Sequence, residues 1–201
     1  MGNQKLMAVA LFFIILSLFI SISPYVPQLP HPVKQTSSFQ LNLGIALRTQ
    51  DNVTDYAFYV LVGGVDQSSA AINVPSNVSV RITVFNQDPG IDKLLKSSDA
   101  NLSGSDTGIM NVKQYTNSSF PISDSEVFLP SARGVSFIAP SNISHTFTTS
   151  NGLNIPIPPD SAVMTNVTFT QPGVYSWGCM CECGPFSMET PGWMYGTFVV
   201  S

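Results

Sequence analysis

Short apolar segments separated by turn residues constrain the fold of this 201-residue chain more than any other feature. Residues 78–85 alternate apolar and polar side chains at a period of two, and the turn-forming sequence Asn-Gln-Asp-Pro-Gly follows at 86–90, as in a half-buried strand. Further strand signals occur at 57–62, 135–138, 143–147, 163–169, 173–177 and 196–200. No long helical pattern follows residue 23, so the sequence predicts an all-β fold with the architecture of a β-sandwich.

A long polar segment interrupts the strand pattern. Residues 91–130 are rich in Ser, Asp, Asn and Gly, a composition typical of loops. The chain is long enough for one domain of ordinary size with a short appendage. We therefore expect one domain over residues 40–201 that carries an insertion at about 91–130.

The N-terminal region has the composition of a membrane segment. Every residue from Leu6 to Ile22 is apolar except two serines, and Lys5 precedes this run. Its length and its poor cleavage sequence favour a retained single-pass transmembrane helix within residues 1–23, and a cleaved signal sequence is the alternative. Residues 24–39 are proline-rich and indicate an extended stalk. The charge of Lys5 predicts that the domain lies on the extracytoplasmic side of the cell membrane.

Charge and glycosylation signals agree with export and exclude one class of partner. Charged residues make up 10% of the chain, the net charge is −4 and no basic cluster occurs, so the chain lacks the positive surface that nucleic-acid binding requires. Six Asn-X-Ser/Thr sequences are typical of a glycoprotein outside the cytoplasm. Their asparagines are Asn52, Asn77, Asn101, Asn117, Asn142 and Asn166.

All three cysteines lie within five residues of one another, at Cys179, Cys181 and Cys183. Exported cysteines usually pair across loops, so one local disulfide with a spare thiol is one interpretation of this cluster. A metal or redox role is the other. Thiolates with a methionine nearby prefer soft metals, above all copper.

Three segments carry a specific resemblance. They are Ser141-Asn-Ile-Ser-His-Thr-Phe147, Gly152-Leu-Asn-Ile-Pro-Ile-Pro-Pro159 and Val167-Thr-Phe-Thr-Gln-Pro-Gly-Val-Tyr-Ser-Trp-Gly-Cys179 with the following Cys183-Gly184. Residues 141–201 thereby resemble the periplasmic domain of subunit II of haem–copper terminal oxidases. The resemblance implies a cupredoxin-like Greek-key β-sandwich on a membrane anchor, with a binuclear copper (CuA) site.

The resemblance also implies a ligand set, which is incomplete in this chain. His145 matches the strand histidine of the family, Cys179 and Cys183 match its bridging thiolates, and Cys181 stands where the family uses a backbone carbonyl ligand. Ser187 replaces the second histidine. The methionine position holds a threonine, for which Met188 and Met194 are close enough to substitute. The candidate metal ligands are therefore His145, Cys179, Cys181, Cys183 and Met188.

The resemblance to the mononuclear blue-copper proteins of the same family also leaves one histidine ligand missing. Their ending resembles residues 191–196, where Trp193 takes the place of the histidine. The only other histidine in the chain, His31, belongs to the predicted stalk. One imidazole is missing under either alignment, so we expect neither an ordinary binuclear site nor an ordinary blue site. Any bound copper should be Cu(I) in an altered CuA-like site.

Three functions stay open at this point. The chain could be a copper-free structural subunit of a quinol-oxidising enzyme, a subunit with an altered copper site for electron transfer, or a thiol cluster unrelated to respiration. The resemblance implies a non-catalytic subunit of a membrane respiratory oxidase, with haem–copper oxidase subunit I and a quinol or small electron-carrier protein as partners. A stand-alone exported surface cupredoxin, copper-binding or structural, is the alternative. No catalytic triad or phosphate loop occurs.

Overall fold

The computed structural model describes residues 38–115 and 131–201, in which β-strands dominate. Seven strands form one sheet in the order β3-β2-β1-β5-β10-β6-β7, and five form a second in the order β4-β12-β11-β8-β9. The strands are β1 Phe39–Gln50, β2 Val53–Val62, β3 Val65–Ser68, β4 Ala71–Val74, β5 Ser79–Asn86, β6 Met110–Gln114, β7 Arg133–Val135, β8 His145–Thr149, β9 Asn154–Ile157, β10 Ser161–Thr168, β11 Gly173–Gly178 and β12 Tyr195–Val200. The prediction of a mostly β chain is confirmed for this part of the sequence.

Helices in the described ranges are short. They comprise 3₁₀ turns at Ser97–Ala100 and Pro140–Asn142 and one α-helix, α1, at Pro185–Glu189. None of the helices within 38–115 and 131–201 has the length and apolarity needed to cross a membrane. The predicted anchor at 1–23, most of the predicted stalk and Asn117 lie outside the described residues.

The two sheets enclose a single apolar core. The first sheet contributes Leu43, Ile82 and Val163, and the second contributes Phe147 and Phe198, all fully buried. Since both sheets supply residues to the same cluster, the sheets pack face to face as in a β-sandwich.

Buried aromatic rings hold the second sheet against the first. Phe58 of β2 meets Trp177 of β11 edge to face with ring centroids 5.2 Å apart, and Phe147 lies 5.5 Å from the same indole. The Trp177 N–H donates to the Ser69 carbonyl at 2.9 Å. The indole therefore buries its apolar ring without leaving its polar group unsatisfied.

The segment predicted as an insertion contributes to the core as far as the structure describes it. β6 pairs with β10, with Val112 opposite Val163, and Met110 is fully buried. β6 has only five residues, of which only Met110 is buried, and so short a segment has no clear strand pattern in the sequence. Residues 116–130 lie outside the described part, so the limits of the insertion stay a prediction.

Several strand predictions needed correction. The strand expected at 135–138 occupies Arg133–Val135 instead, and β1, β3, β4, β6 and β9 were not predicted. β1 had a usable signal, because apolar residues alternate at 39, 41, 43 and 45. The strands β3 and β4 have four residues each, and pairing rather than sequence pattern specifies strands of that length.

Candidate metal centre

Two strands and two loops of the sandwich meet at the cysteine cluster. β8 begins at His145, and Cys179 follows the end of β11. The backbone N–H of Cys179 donates to the Met194 carbonyl at 2.7 Å, next to the start of β12. Gly184, at φ 87°, turns the chain from Cys183 into α1, a backbone conformation that favours glycine. The hydrogen bond to Met194 and the turn at Gly184 therefore fix the backbone on both sides of the cysteines.

Three of the predicted ligands come together. The Nδ1 atom of His145 lies 3.4 Å from Cys183 Sγ and 3.9 Å from Cys179 Sγ, and the two sulfurs are 3.1 Å apart. All three side chains are buried. One nitrogen and two sulfurs thus converge on a volume from which the protein excludes water.

Cys181 is buried beside the other two thiols and interacts with both. It does not belong to the group of donor atoms that lie within 4.8 Å of one another, which is made of His145, Cys179 and Cys183. Its backbone forms a bridge with Leu94. The structure therefore places Cys181 against the sulfurs of Cys179 and Cys183 and not at the His145 ring.

Asp88 fixes the histidine ring from the opposite side. The His145 Nε2–H donates to Asp88 Oδ2 at 2.8 Å, and Asp88 Oδ1 accepts from the Gly90 N–H at 2.7 Å. Burial opposes the ionisation of Asp88, but these two hydrogen bonds outweigh it and lower the pKa of the carboxyl. Because the carboxylate holds Nε2–H, Nδ1 is the nitrogen that can give up its proton to become the ligand atom, which is the usual arrangement around a metal-bound histidine.

The electrostatic environment of the cluster lowers the pKa of one cysteine, Cys179. Burial favours the neutral ring of His145, but hydrogen bonds to Asp88 and Cys179 raise its pKa to about 9. Burial also opposes the Cys179 thiolate, yet hydrogen bonds from Cys181, Cys183 and His145 lower the pKa of Cys179 well below its ordinary value.

The other two cysteines stay protonated as a consequence. Their hydrogen bonds with Cys179 are the first cause that raises the pKa of Cys181 and of Cys183. The backbone N–H of Thr146 adds a further donor to Cys179 Sγ at 3.3 Å. These contacts favour the thiolate on Cys179, and the thiolate is the form of cysteine that binds metals and reacts.

Methionines line a cavity beside Cys179. The cavity has a volume of about 310 Å³, and Cys179, Met180, Met188 and Met194 are among its lining residues. Met188 is partly buried and packs against the main core. It lies on the same side of the domain as the thiolate, and its role as a ligand stays a prediction.

The positions that lack the expected imidazole have structural contacts instead. Ser187 is fully buried and donates to Asp55 Oδ2 at 2.6 Å. Trp193 packs edge to face on Phe186, with ring centroids 5.0 Å apart. Neither side chain replaces the second histidine in this arrangement.

Sequence reasoning missed two carboxylates at the site. Asp88 follows β5 within a Pro-Gly turn sequence and was interpreted as a turn residue, yet it is only 7% exposed. Asp92 has its Oδ2 3.9 Å from His145 Nδ1. A buried aspartate cannot be told from a turn aspartate in one sequence, so the local pattern held no signal for either contact.

The donor set fits copper. Cu(I) prefers soft sulfur donors and also accepts imidazole nitrogen, and His145, Cys179 and Cys183 supply one nitrogen and two sulfurs without large rearrangement. The Nε2 contact of His145 with Asp88 adds the outer support that metal-bound histidines normally have.

Comparisons with known proteins show weak structural similarity to copper proteins. Rusticyanin from Thiobacillus ferrooxidans aligns with a TM-score of 0.32 and 15% identity over 82% of this chain and 77% of its own. A chain of a haem–copper terminal oxidase dimer aligns with a TM-score of 0.35 and 13% identity over 100% and 97% of the two chains. A multicopper oxidase from Campylobacter jejuni aligns with a TM-score of 0.40 and 10% identity over 86% and 32%.

Neither a protein-family model nor a curated protein sequence matches the chain. All three TM-scores are below 0.5 and all three identities are below 25%, so the functional assignment rests on the residues of this chain. The chain is a mostly β protein, and the solved structures to which it is similar include copper proteins.

Proposed function

We propose that this chain is a copper-binding, subunit II-like component of a membrane respiratory terminal oxidase, with an electron-transfer role. The observation that carries the proposal is the convergence of His145 Nδ1 with the sulfurs of Cys179 and Cys183 while Asp88 holds the opposite ring nitrogen. Bound copper would supply a one-electron redox couple. In this proposal, oxygen reduction would take place in the haem–copper subunit I.

Each residue of the cluster has a defined task in this proposal. Cys179 and Cys183 supply sulfur donors, and His145 supplies Nδ1. Asp88 keeps the ring in one orientation, which lowers the cost of binding and of changing charge on the metal. The Thr146 N–H donates to Cys179 Sγ, and such a bond spreads the negative charge of the sulfur and thereby tunes the metal potential.

The membrane setting follows from the N-terminal sequence. A single-pass anchor within residues 1–23 would keep the domain at the extracytoplasmic face of the cell membrane, beside a haem–copper subunit I. A quinol or a small electron-carrier protein would be the electron donor. Sequons on the domain would carry glycans.

A copper-free structural subunit is the second candidate, and one observation favours it. The position of the second imidazole holds Ser187, which is fully buried and bonded to Asp55. A chain that had stopped binding metal could retain this sandwich, because the aromatic contacts of Trp177 with Phe58 and Phe147 need no metal.

Purification of the native protein from detergent-solubilised membranes tests both candidates. We expect haem absorbance to co-purify with the chain. The copper content of the wild-type preparation should exceed that of the same preparation from a His145→Ala variant. Haem without additional copper would favour the structural subunit. Copper without haem would contradict the oxidase role and favour a stand-alone copper-binding protein.

A further inference from the structure

A second carboxylate faces the metal side of the histidine ring. Asp92 Oδ2 lies 3.9 Å from His145 Nδ1, the nitrogen that also faces Cys179 and Cys183. Asp88, in contrast, contacts Nε2. Asp88 and Asp92 therefore face different nitrogens of one imidazole, although their carboxylates lie within 4.8 Å of each other, and only Asp92 faces the nitrogen near which the sulfurs converge.

Backbone hydrogen bonds hold Asp92 in this position. The Asp92 N–H donates to the Ile143 carbonyl at 3.0 Å, just before β8. The following residues run along the cysteine loop, where the Leu95 N–H donates to the Met180 carbonyl and the Glu182 N–H donates to the Lys93 carbonyl, both at 2.9 Å. The backbone of the segment that carries Asp92 is thus bonded both to the residues before β8 and to the cysteine loop.

Four of the six separations between the donor atoms are close to those of a four-coordinate ion. A tetrahedral centre with ordinary bond lengths has edges of about 3.6 Å between nitrogen and sulfur, about 3.4 Å between nitrogen and oxygen, and about 3.8 Å between two sulfurs. Here the nitrogen–sulfur distances are 3.4 and 3.9 Å, the nitrogen–oxygen distance is 3.9 Å and the sulfur–sulfur distance is 3.1 Å. Asp92 lies outside the group of donor atoms within 4.8 Å of one another that His145, Cys179 and Cys183 form, so its side chain would have to move toward the sulfurs to complete the tetrahedron.

Neighbouring cations leave the Asp92 carboxylate available. Lys93 is directed to Glu182, with Nζ 2.6 Å from Oε1. Within 38–115 and 131–201, the ion pair recorded for Asp92 is the one with His145. The side chain of Asp92 is 32% exposed, so this carboxylate is accessible from solvent.

We propose that Asp92 supplies the fourth donor of the site, in place of the missing imidazole, and thereby allows the site to hold a divalent ion. The inference rests on the metal binding by His145, Cys179 and Cys183 proposed above. Oxygen donors suit divalent ions better than Cu(I), which needs only the softer sulfur and nitrogen atoms. Asp92 would therefore bind Co²⁺, Zn²⁺ or Cu²⁺ and contribute little to Cu(I).

The test uses the full-length protein in detergent, reduced and freed of metal, and titrated without oxygen with Co²⁺ and separately with Cu(I). The variants are Asp92→Asn, Asp92→His and the control Glu182→Gln, which removes an exposed carboxylate from the neighbouring cysteine loop. We expect one Co²⁺ per wild-type chain, with the intense visible absorption of a four-coordinate ion and with sulfur-to-metal charge transfer.

Asp92→Asn should weaken Co²⁺ binding at least about tenfold and change the visible spectrum, while its Cu(I) affinity stays within about threefold of the wild type. Asp92→His should retain Co²⁺ with a shifted spectrum, and Glu182→Gln should behave as the wild type. Unchanged Co²⁺ affinity and spectrum in Asp92→Asn would overturn the inference and leave the copper proposal intact. Absence of both Co²⁺ and Cu(I) binding in the wild type would overturn both. If Asp92→Asn does not fold, an unshifted Co²⁺ spectrum in Asp92→His overturns the inference.

Discussion

The imidazole of His145 donates its Nε2–H to Asp88 Oδ2 at 2.8 Å, and this contact sets the orientation of the ring toward the thiols. Asp88 is buried and bonded in turn to the Gly90 N–H. Because the turn that follows β5 supplies the carboxylate and β8 supplies the histidine, strands from the two sheets jointly position one ligand. The candidate metal centre therefore depends on the packing of the sandwich and not on the cysteine loop alone.

Asp88→Asn should weaken Cu(I) binding by about 10- to 100-fold, because the ring of His145 loses the acceptor that fixes its orientation and its basicity. A competition titration with a Cu(I) chelator measures the change. Asp66→Asn, which alters an exposed carboxylate on β3, is the matched control and should leave the affinity unchanged. Equal affinities for Asp88→Asn and the wild type would show that Asp88 has no role at the metal.

Cys179→Ser should destabilise the metal-free domain more at about pH 8 than at about pH 5. The pKa of Cys179 is lowered in the folded chain, so its contribution to stability is present at high pH and is lost as the pH falls through the folded value. Urea unfolding of the reduced, metal-free protein at several pH values measures the difference in the free energy of unfolding.

Cys181→Ser provides the control for this pH dependence. The pKa of Cys181 is raised, so this thiol stays protonated at both pH values, and the effect of its substitution should change with pH less than that of Cys179→Ser, because it acts only through the hydrogen bond to Cys179. A pH-independent effect of Cys179→Ser would contradict the assignment of the single thiolate to Cys179.

Met110→Ala should lower the free energy of unfolding by about 2–5 kcal/mol, because the methionine is fully buried and its removal leaves a cavity. Ile109→Ala, at a side chain that is 51% exposed, should change it by less than about 1 kcal/mol. Urea unfolding of both variants checks the result. An effect below about 1 kcal/mol for Met110→Ala would place β6 outside the core.

Long strands were predictable from the sequence, and short ones were not. The alternating residues of β5 and the aromatic run of β2 identified both strands, since burial of one face leaves a period of two. β6 has five residues, and partners distant in the sequence specify it. Pairing between β6 and β10 has no local signal, which is why a core strand was interpreted as part of an insertion.

The residues of the candidate site also fall into a group that the sequence predicts and a group that it does not. His145, Cys179 and Cys183 were predictable because their residue types are rare in this chain, with 2 histidines and 3 cysteines in 201 residues. Asp88 and Asp92 belong to a common residue type in a turn-like segment. Only the pairing of that segment with the cysteine loop and β8 brings their carboxylates to the ring.

Ser187→His, which restores the imidazole that the resemblance implies, should destabilise the domain and should not create a binuclear copper site. The Ser187 side chain is fully buried and its hydroxyl donates to Asp55 at 2.6 Å. A larger ring at this position would lose that hydrogen bond and overpack the site, at a cost of about 1–3 kcal/mol. Ser187→Ala, which loses only the hydrogen bond, is the matched control and should be destabilised less.

Electron paramagnetic resonance of the copper-loaded protein measures the second half of this expectation. A binuclear mixed-valence centre needs two terminal imidazoles beside its bridging thiolates, and His145 is the one imidazole that reaches the thiols within the described residues. The wild type and Ser187→His should therefore both lack a seven-line signal. A seven-line signal in Ser187→His alone would show that the loop can move Ser187 away from Asp55 and toward the cysteines. The same signal in the wild type would show that a side chain or backbone oxygen already replaces the second imidazole.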